Sequence, residues 1–148
     1  MDADRSVLLI EVAISAIISW ATRQDVRDET MRRARCDLPP GHAWLLARLS
    51  SCGPLRIGAL ALALGIDAST ITPQIQRLER DGLITRSPDP SDGRAALVAI
   101  TPDGSRMLAR LQRSRQAMLK EKLQDWPAHE RESVAAVIDR LASALAPA

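Results

Sequence analysis

The sequence has no tyrosine and no phenylalanine, and its 148 residues include only three tryptophans, two cysteines and two histidines. The core must therefore be almost wholly aliphatic, since 46% of the residues are hydrophobic. Cys36 and Cys52 are not in a C-x-x-C arrangement and need not form a disulfide. His42 and His129 are far apart and have no cysteine or carboxylate at ligand spacing. With no Gly-rich phosphate loop and no serine elbow, the sequence predicts no metal, no cofactor and no enzyme activity.

Lysine is scarce as well, because only Lys120 and Lys122 are lysines among the 20 basic residues. Arginine is suited to bidentate contacts with guanine or phosphate, but a genome rich in G and C also enriches arginine without functional meaning. The formal net charge is only +2. The positions of the arginines, and not their number, therefore decide whether a nucleic acid is the partner.

The longest apolar run, VLLIEVAISAIISW from Val7 to Trp20, is interrupted by Glu11. Its length predicts that it is too short to span a bilayer. Asp2 and Asp4 spoil the basic region with which a signal peptide begins. We therefore expect a cytoplasmic protein without a membrane partner, whose first helix is buried between subunits.

The segment from Asp67 to Gly104 begins with a helix pattern. Ile71, Ile75 and Leu78 lie on one narrow stripe at helical spacing. The rest of the helix carries hydroxyl, amide and guanidinium groups, which bind phosphates and base edges in the major groove. These polar positions, with one proline among them, are Ser69, Thr70, Thr72, Pro73, Gln74, Gln76, Arg77 and Arg80. The pattern predicts a helix that recognises DNA.

A charged hairpin follows this helix. Asp81-Gly82 ends the helix, and residues 83–87 and 95–100 predict two strands joined by the loop SPDPSDGR. Two prolines stiffen the loop, and Asp92-Gly93 favours a tight turn that presents Arg94. An arginine on such a wing can enter a narrow minor groove. The alternative is a solvated hairpin with an incidental charge.

Upstream, PLRIGALALALGIDAST completes a helix-turn-helix, with Gly65 as the break and Asp67 or Ser69 as the next N-cap. Pro73 conflicts with a long second helix, because proline in a helix interior costs roughly 3 kcal/mol. If Thr70 or Thr72 is the cap, Pro73 falls in the first turn, where no N–H is needed. The sequence thus leaves two starting points for this helix.

In order and spacing these motifs resemble the MarR family of bacterial transcription regulators. The matching pieces are Leu60-Ala61, Gly65-Ile66, Ser69 to Thr72, Arg77-Leu78-Glu79, Gly82-Leu83-Ile84, Asp92-Gly93-Arg94 and Thr101-Pro102-Asp103-Gly104. The resemblance implies a mainly α protein with a small β-hairpin (α+β), a winged helix-turn-helix with dimerisation helices at both ends. It divides the chain into an N-terminal dimerisation helix (1–36), a DNA-binding lobe (37–101) and C-terminal dimerisation helices (102–148).

The DNA-contacting positions expected from the pattern and the resemblance are Arg56, Ser69, Thr70, Thr72, Pro73, Gln74, Arg77, Arg86, Ser91, Asp92 and Arg94. One of them departs from the family pattern. Family members have Ser or Thr where the helix after Pro54 begins, and this chain has Leu55-Arg56-Ile57. Either Arg56 makes the phosphate contact in their place, or it is a long surface arginine without such a role.

The C-terminal part predicts two helices. Thr101 caps the first, with Pro102 at its first position and an apolar face that ends near Gln124. Pro127 opens the second, in which apolar residues recur at spacings of four, three and four; they are Val134, Ile138, Leu141 and Leu145. This seam predicts packing against another helix, and by the resemblance that helix belongs to the second subunit of a homodimer.

The resemblance also implies a cleft for a small aromatic or anionic effector, with Trp20, His42 and Trp44 as candidate residues. The competing interpretation is that the tryptophans fill the core of a chain without Phe or Tyr. Cys36, after the arginine run MRRAR, is either a redox-sensitive thiolate or an ordinary structural or exposed cysteine.

The function expected is that of a repressor that binds a pseudo-palindromic operator in double-stranded DNA and is released by an effector. The alternative is a winged helix used for protein contacts or for sequence-independent DNA binding.

Overall fold

A computed structural model of the protein describes residues 3–146, with the side chains of residues 3 and 40 left aside. In chain order the described part contains α1 (Ala3–Thr22), α2 (Gln24–Ala34), α3 (Pro40–Cys52), β1 (Leu55–Arg56), α4 (Ile57–Leu64), α5 (Ala68–Arg80), β2 (Ile84–Asp89), β3 (Asp92–Ile100), α6 (Pro102–Lys122) and α7 (Ala128–Leu145). The architecture is mainly helical with one small sheet, as the sequence predicts.

The N-terminal segment forms two helices where the sequence predicts one. The helix breaks at Arg23, whose backbone is extended, with φ −61° and ψ 140°. Its guanidinium donates two hydrogen bonds to Asp25, and the Nη2 to Oδ2 distance is 2.6 Å. This pair anchors the first turn of α2, whose N-cap residue has no side-chain acceptor for the exposed backbone N–H groups.

Helix α1 is longer than the predicted run from Val7 to Trp20. Over Asp4–Thr22 its mean hydropathy is 1.5, so by length and composition it could cross a membrane, and the prediction that it is too short was wrong. Between Asp4 and Thr22 none of the helix is buried against the rest of the described chain. A helix that packs against a second subunit has the same apolar composition.

The core lies between α3, α4, α5, the sheet and α6. Its largest fully buried side chains are Leu45, Leu46, Leu49, Leu60, Ile71, Ile75, Leu78, Val98 and Leu111. All are aliphatic, and the three residues of the α5 stripe are among them, so both predictions are confirmed. The interpretation that the tryptophans fill the core is wrong for Trp44, which is 70% exposed.

The sheet is antiparallel with the strand order β1-β3-β2. The two-residue strand β1 is an addition to the predicted hairpin and pairs Leu55 with Val98. Strands β2 and β3 extend through most of the predicted loop, and Pro88 lies within β2, where the register becomes irregular. Proline is tolerated because β2 is an edge strand, in which half of the N–H groups need no partner.

The start of α5 decides between the two sequence alternatives. The helix begins at Ala68 with Asp67 as its N-cap residue, so a later start at Thr70 or Thr72 is wrong. Pro73 therefore lies inside the helix and deprives the Ser69 carbonyl of its donor. Because Ser69 and Pro73 are both exposed, water can reach this carbonyl, and the cost is lower than in a buried helix.

Helix α6 begins as predicted, with Thr101 as N-cap. The Thr101 hydroxyl accepts a hydrogen bond from the Gly104 backbone N–H at 3.1 Å and donates one to the Gly82 carbonyl at 2.6 Å. The cap therefore joins the start of α6 to the turn that follows α5. Helix α7 begins after Pro127, also as predicted, and none of its described residues is buried.

Candidate nucleic-acid interface

The face of α5 opposite the buried stripe is polar and accessible. Five of its side chains are exposed and three are half-buried; the exposed ones are Ser69, Thr70, Pro73, Gln76 and Arg80, and the half-buried ones are Thr72, Gln74 and Arg77. The sequence therefore placed this face correctly. Whether these positions contact DNA stays a prediction.

Two of the half-buried side chains are directed toward the protein. The Thr72 hydroxyl donates to the Ala68 carbonyl at 2.7 Å, a back-bond within the helix that leaves its oxygen free to accept. The Gln74 amide lies near Gly41 at the start of α3, where an added Cβ atom would stand 3.1 Å from Gln74 Oε1. This Oε1 atom is buried without a hydrogen-bond partner in the described chain. Gln74 must change rotamer to reach a base edge.

His42 lies beneath the recognition surface and is 5% exposed. Burial lowers the pKa of His42 from its usual 6.5, and the positive charge of Arg77 lowers it further. The imidazole is therefore neutral at neutral pH. Arg77 itself is 3.8 Å from the Asp81 carboxylate, a loose contact that leaves its guanidinium available to a phosphate or a base.

The wing presents Arg94 from the first residues of β3. The Asp92 carboxylate accepts a hydrogen bond from the Arg94 backbone N–H at 3.1 Å, so it holds the turn and not the guanidinium. In residues 3–146 no ion pair involves Arg94, which is exposed. This arginine is free to contact a phosphate or a narrow minor groove.

Two other predicted DNA contacts are held by carboxylates. Arg86 Nε is 3.0 Å from Glu79 Oε2, which links strand β2 to helix α5. Arg56 Nε is 2.6 Å from Asp89 Oδ2, which links β1 to the end of β2. The sequence analysis missed Glu79 and Asp89, although Asp89-Pro90-Ser91 is a composition typical of a turn held by an Asp side chain.

The candidate effector residues do not line one cavity. Trp44 borders an opening of about 260 Å³ together with Ala21, Thr22, Arg27, Thr30, Met31 and Arg115. Trp20 borders a separate cleft of about 670 Å³ between α2 and α6. His42 is buried in the lobe and lines neither space.

The pKa of the Cys36 thiol is raised, whereas the arginine residues that precede it in the sequence suggested a lowered pKa. Burial raises the pKa of the Cys36 thiol, and this effect outweighs the lowering influence of Arg110 and Arg115. The neighbourhood therefore does not favour a thiolate at neutral pH.

Comparison with known proteins identifies the family of this chain and its general function. The MarR family model matches residues 38–96, which lie within the lobe formed by α3, the helix-turn-helix and the hairpin. An uncharacterised HTH-type transcriptional regulator of Bacillus subtilis, YxaD, is 32% identical over 141 residues, 95% of this chain and 96% of the relative. The chain belongs to the MarR family. It is a DNA-binding transcriptional regulator.

Two solved structures share the fold of this chain. A MarR family protein from Bacillus stearothermophilus superposes with a TM-score of 0.79 over 99% of this chain and 100% of its own, at 20% identity, which shows the shared fold. The PcaV transcriptional regulator of Streptomyces coelicolor, solved in complex with its natural ligand, is 26% identical. It covers 84% of this chain and 94% of its own, with a TM-score of 0.54. The MarR fold thus extends over the flanking helices as well as the lobe.

Proposed function

We propose that the protein is a cytoplasmic homodimer that represses transcription from a pseudo-palindromic operator and is released by a small effector. The observation that supports it most is the accessible polar face of α5, which an ion pair between Glu79 and Arg86 joins to the wing. The wing carries Arg94, which is exposed and forms no ion pair within residues 3–146. A recognition helix in the major groove and a wing in the adjacent minor groove need this combination.

The apolar faces of α1 and α7 support the dimer. Val7, Ile17, Val137 and Ile138 are exposed on these two helices, although apolar residues of this size are costly to leave in water. We propose that residues 1–36 and 102–148 bury these faces against a second copy, and that residues 37–101 bind DNA. Twofold symmetry then places two copies of α5 in successive major grooves, about 34 to 36 Å apart.

Within the lobe, the proposed base-contacting residues are Thr72, Gln74 and Arg77. Arg77 and an extended Gln74 match the donor and acceptor pattern of guanine and adenine edges. Ser69, Thr70, Pro73, Arg86, Ser91 and Asp92 are proposed to contact or face the backbone, where they set the register without reading sequence.

The proposed effector site is the opening beside Trp44. Its lining combines an indole with two guanidinium groups, those of Arg27 and Arg115, and no carboxylate is among its lining residues in the described chain. An aromatic carboxylate fits this chemistry, because its ring can stack on Trp44 while its charge faces the arginines. The opening lies between the lobe helix α3 and helices α1, α2 and α6, so a ligand there can favour one spacing of the two lobes over another.

The test is a footprint of the purified protein across the promoter beside its own gene. We expect two protected half-sites about one helical turn apart, and an Arg77→Ala protein that binds the site about 5- to 150-fold more weakly. Uniform protection with no preference over random DNA would favour sequence-independent binding, and no protection anywhere would favour protein contacts.

The effector proposal has its own measurement. Fluorescence of Trp44 should change on titration with aromatic carboxylates, and a carboxylate that binds should lower operator affinity. The signal is read in a background that carries both Trp20→Phe and Trp126→Phe, so that Trp44 is the one tryptophan left in the sequence. Neither replaced residue lines the opening beside Trp44. Arg115→Ala should abolish the response and leave operator binding without effector unchanged.

A further inference from the structure

Arg56 and Asp89 are separated by 33 residues in the sequence but form an ion pair in the structure. Arg56 belongs to β1 and is the N-cap residue of α4, the first helix of the helix-turn-helix. Asp89 ends strand β2, where the wing turns. The pair therefore connects the helix-turn-helix to the wing, the two parts of the lobe that we propose to contact DNA.

The Asp89 carboxylate is the better buried partner, with 8% of its side chain exposed against 48% for Arg56. Its Oδ1 atom accepts from the Ser91 backbone N–H at 2.9 Å and from the Ser91 hydroxyl at 2.8 Å. Its Oδ2 atom accepts from Arg56 Nε at 2.6 Å, and Arg56 Nη2 also reaches the Ser91 hydroxyl at 3.4 Å. One carboxylate thus fixes the wing turn and ties it to β1.

This carboxylate is charged under all physiological conditions. The Ser91 backbone N–H and hydroxyl, followed by the Arg56 guanidinium, lower the pKa of Asp89 to about 2. Removing Arg56 would leave a nearly buried charge with one partner fewer, which is a costly arrangement. The pair is therefore expected to persist when the protein meets DNA.

We propose that Arg56 is a positioning residue, which fixes the wing relative to the helix-turn-helix through Asp89 and does not serve as a phosphate contact. The inference rests on the proposed function, because its benefit is a set distance between α5 in the major groove and Arg94 in the minor groove. It assigns to Arg56 a different role from that of the Ser or Thr in the MarR family pattern, which would contact a phosphate.

The two possible roles of Arg56 predict opposite changes in DNA affinity when Asp89 is replaced by Asn. Asp89 is an anion near a polyanionic ligand, so its neutralisation alone tightens DNA binding. If Arg56 contacts a phosphate, Asp89→Asn frees it and tightens binding further. If Arg56 positions the wing, Asp89→Asn weakens binding despite the more favourable charge.

The experiment compares the full-length wild type with Arg56→Ala, Asp89→Asn and the double variant. Operator affinity is measured at several salt concentrations, and hydrogen exchange of the Ser91 amide is measured in the free protein. We expect each single change to weaken binding about threefold to tenfold, and the double variant to be no weaker than the weaker single. Exchange at Ser91 should accelerate in all three.

Arg56→Lys sharpens the comparison. A lysine keeps the charge that a phosphate requires but lacks the planar fork that reaches both Asp89 and Ser91. We expect Arg56→Lys to resemble Arg56→Ala in Ser91 exchange and in affinity, whereas near-normal values would overturn the proposal. Arg113→Ala on α6, which is far from Ser91 in the sequence, is the matched control for hydrogen exchange and should leave Ser91 exchange unchanged.

Tighter binding by Asp89→Asn, additive effects in the double variant, or unchanged Ser91 exchange in Arg56→Ala would each contradict the positioning role. If the wild type binds no DNA, the proposed function fails, and Ser91 exchange alone then decides whether Arg56 holds the wing turn.

Discussion

Replacing Gly104 with alanine tests how closely α6 approaches the turn between α5 and β2. A Cβ atom at this position would stand 2.1 Å from the Leu83 carbonyl oxygen and 2.7 Å from Ile100 Cγ1. The Leu83 oxygen cannot simply rotate away, because it is a backbone atom that accepts a hydrogen bond from the Thr101 N–H at 3.0 Å. The start of α6 would have to move by about 0.9 Å to bring the first contact to 3.0 Å.

The movement has two costs. Overpacking in a close contact typically costs about 1 to 3 kcal/mol, and each hydrogen bond that is weakened adds about 0.5 to 1.5 kcal/mol. The bonds at risk are the one from Thr101 to Leu83 and the cap from Gly104 to Thr101. We therefore expect Gly104→Ala to lower the free energy of unfolding by about 2 to 6 kcal/mol.

Urea unfolding at one fixed protein concentration measures this, since the stability of a dimer depends on concentration. Gly58→Ala in α4 is the matched control, because a Cβ atom there meets nothing within 4 Å. It should stabilise the protein by about 0.5 to 1 kcal/mol, as alanine does in a helix. If Gly104→Ala unfolds within about 0.5 kcal/mol of the parent, the close approach of α6 to the turn is not what fixes this junction.

Three further expectations follow from the site and the flanking helices. Arg94→Ala should weaken operator and non-specific DNA alike and reduce the slope of log affinity against log salt by about one, with a normal slope arguing against a wing contact. Because the pKa of His42 is lowered in the folded protein, protonation favours unfolding; stability should be full above pH 6.5 and fall as the pH drops below it, and His42→Gln should flatten this slope. If the stability of His42→Gln depends on pH as steeply as that of the wild type, a group other than His42 is responsible for the pH dependence. Ile138→Asp should convert a sedimenting dimer to monomer, and a stable dimer would exclude α7 from the interface.

Local patterns allowed much of this fold to be predicted. The stripe of Ile71, Ile75 and Leu78 has helical period and one apolar face, and Thr101-Pro102 is a start signal in which both residues act locally. Such features depend on neighbours within one or two turns. The sequence alone therefore contains the information that places them.

Features that depend on contacts between distant residues, or that have no local signal, could not be predicted from the sequence. The break at Arg23 has no proline or glycine to announce it, and the two-residue strand β1 is too short to show alternation. The pairing of Arg56 with Asp89 exists only because β1 joins β3 and brings the start of α4 near the wing. Composition also misled, since the scarcity of aromatic residues suggested a tryptophan in the core and Trp44 is exposed.

The buried Gln74 carbonyl implies a trade-off between stability and recognition. In the free lobe its Oε1 atom is out of water and has no hydrogen-bond partner in the described chain, an arrangement that costs about 1 to 3 kcal/mol. Rotation of Gln74 toward a base edge would remove this cost. Part of the operator affinity would then come from relief of an unsatisfied buried acceptor in the free protein, and not from the new contact with DNA. Gln74→Leu should therefore produce a regulator that is harder to unfold and poorer at finding its operator.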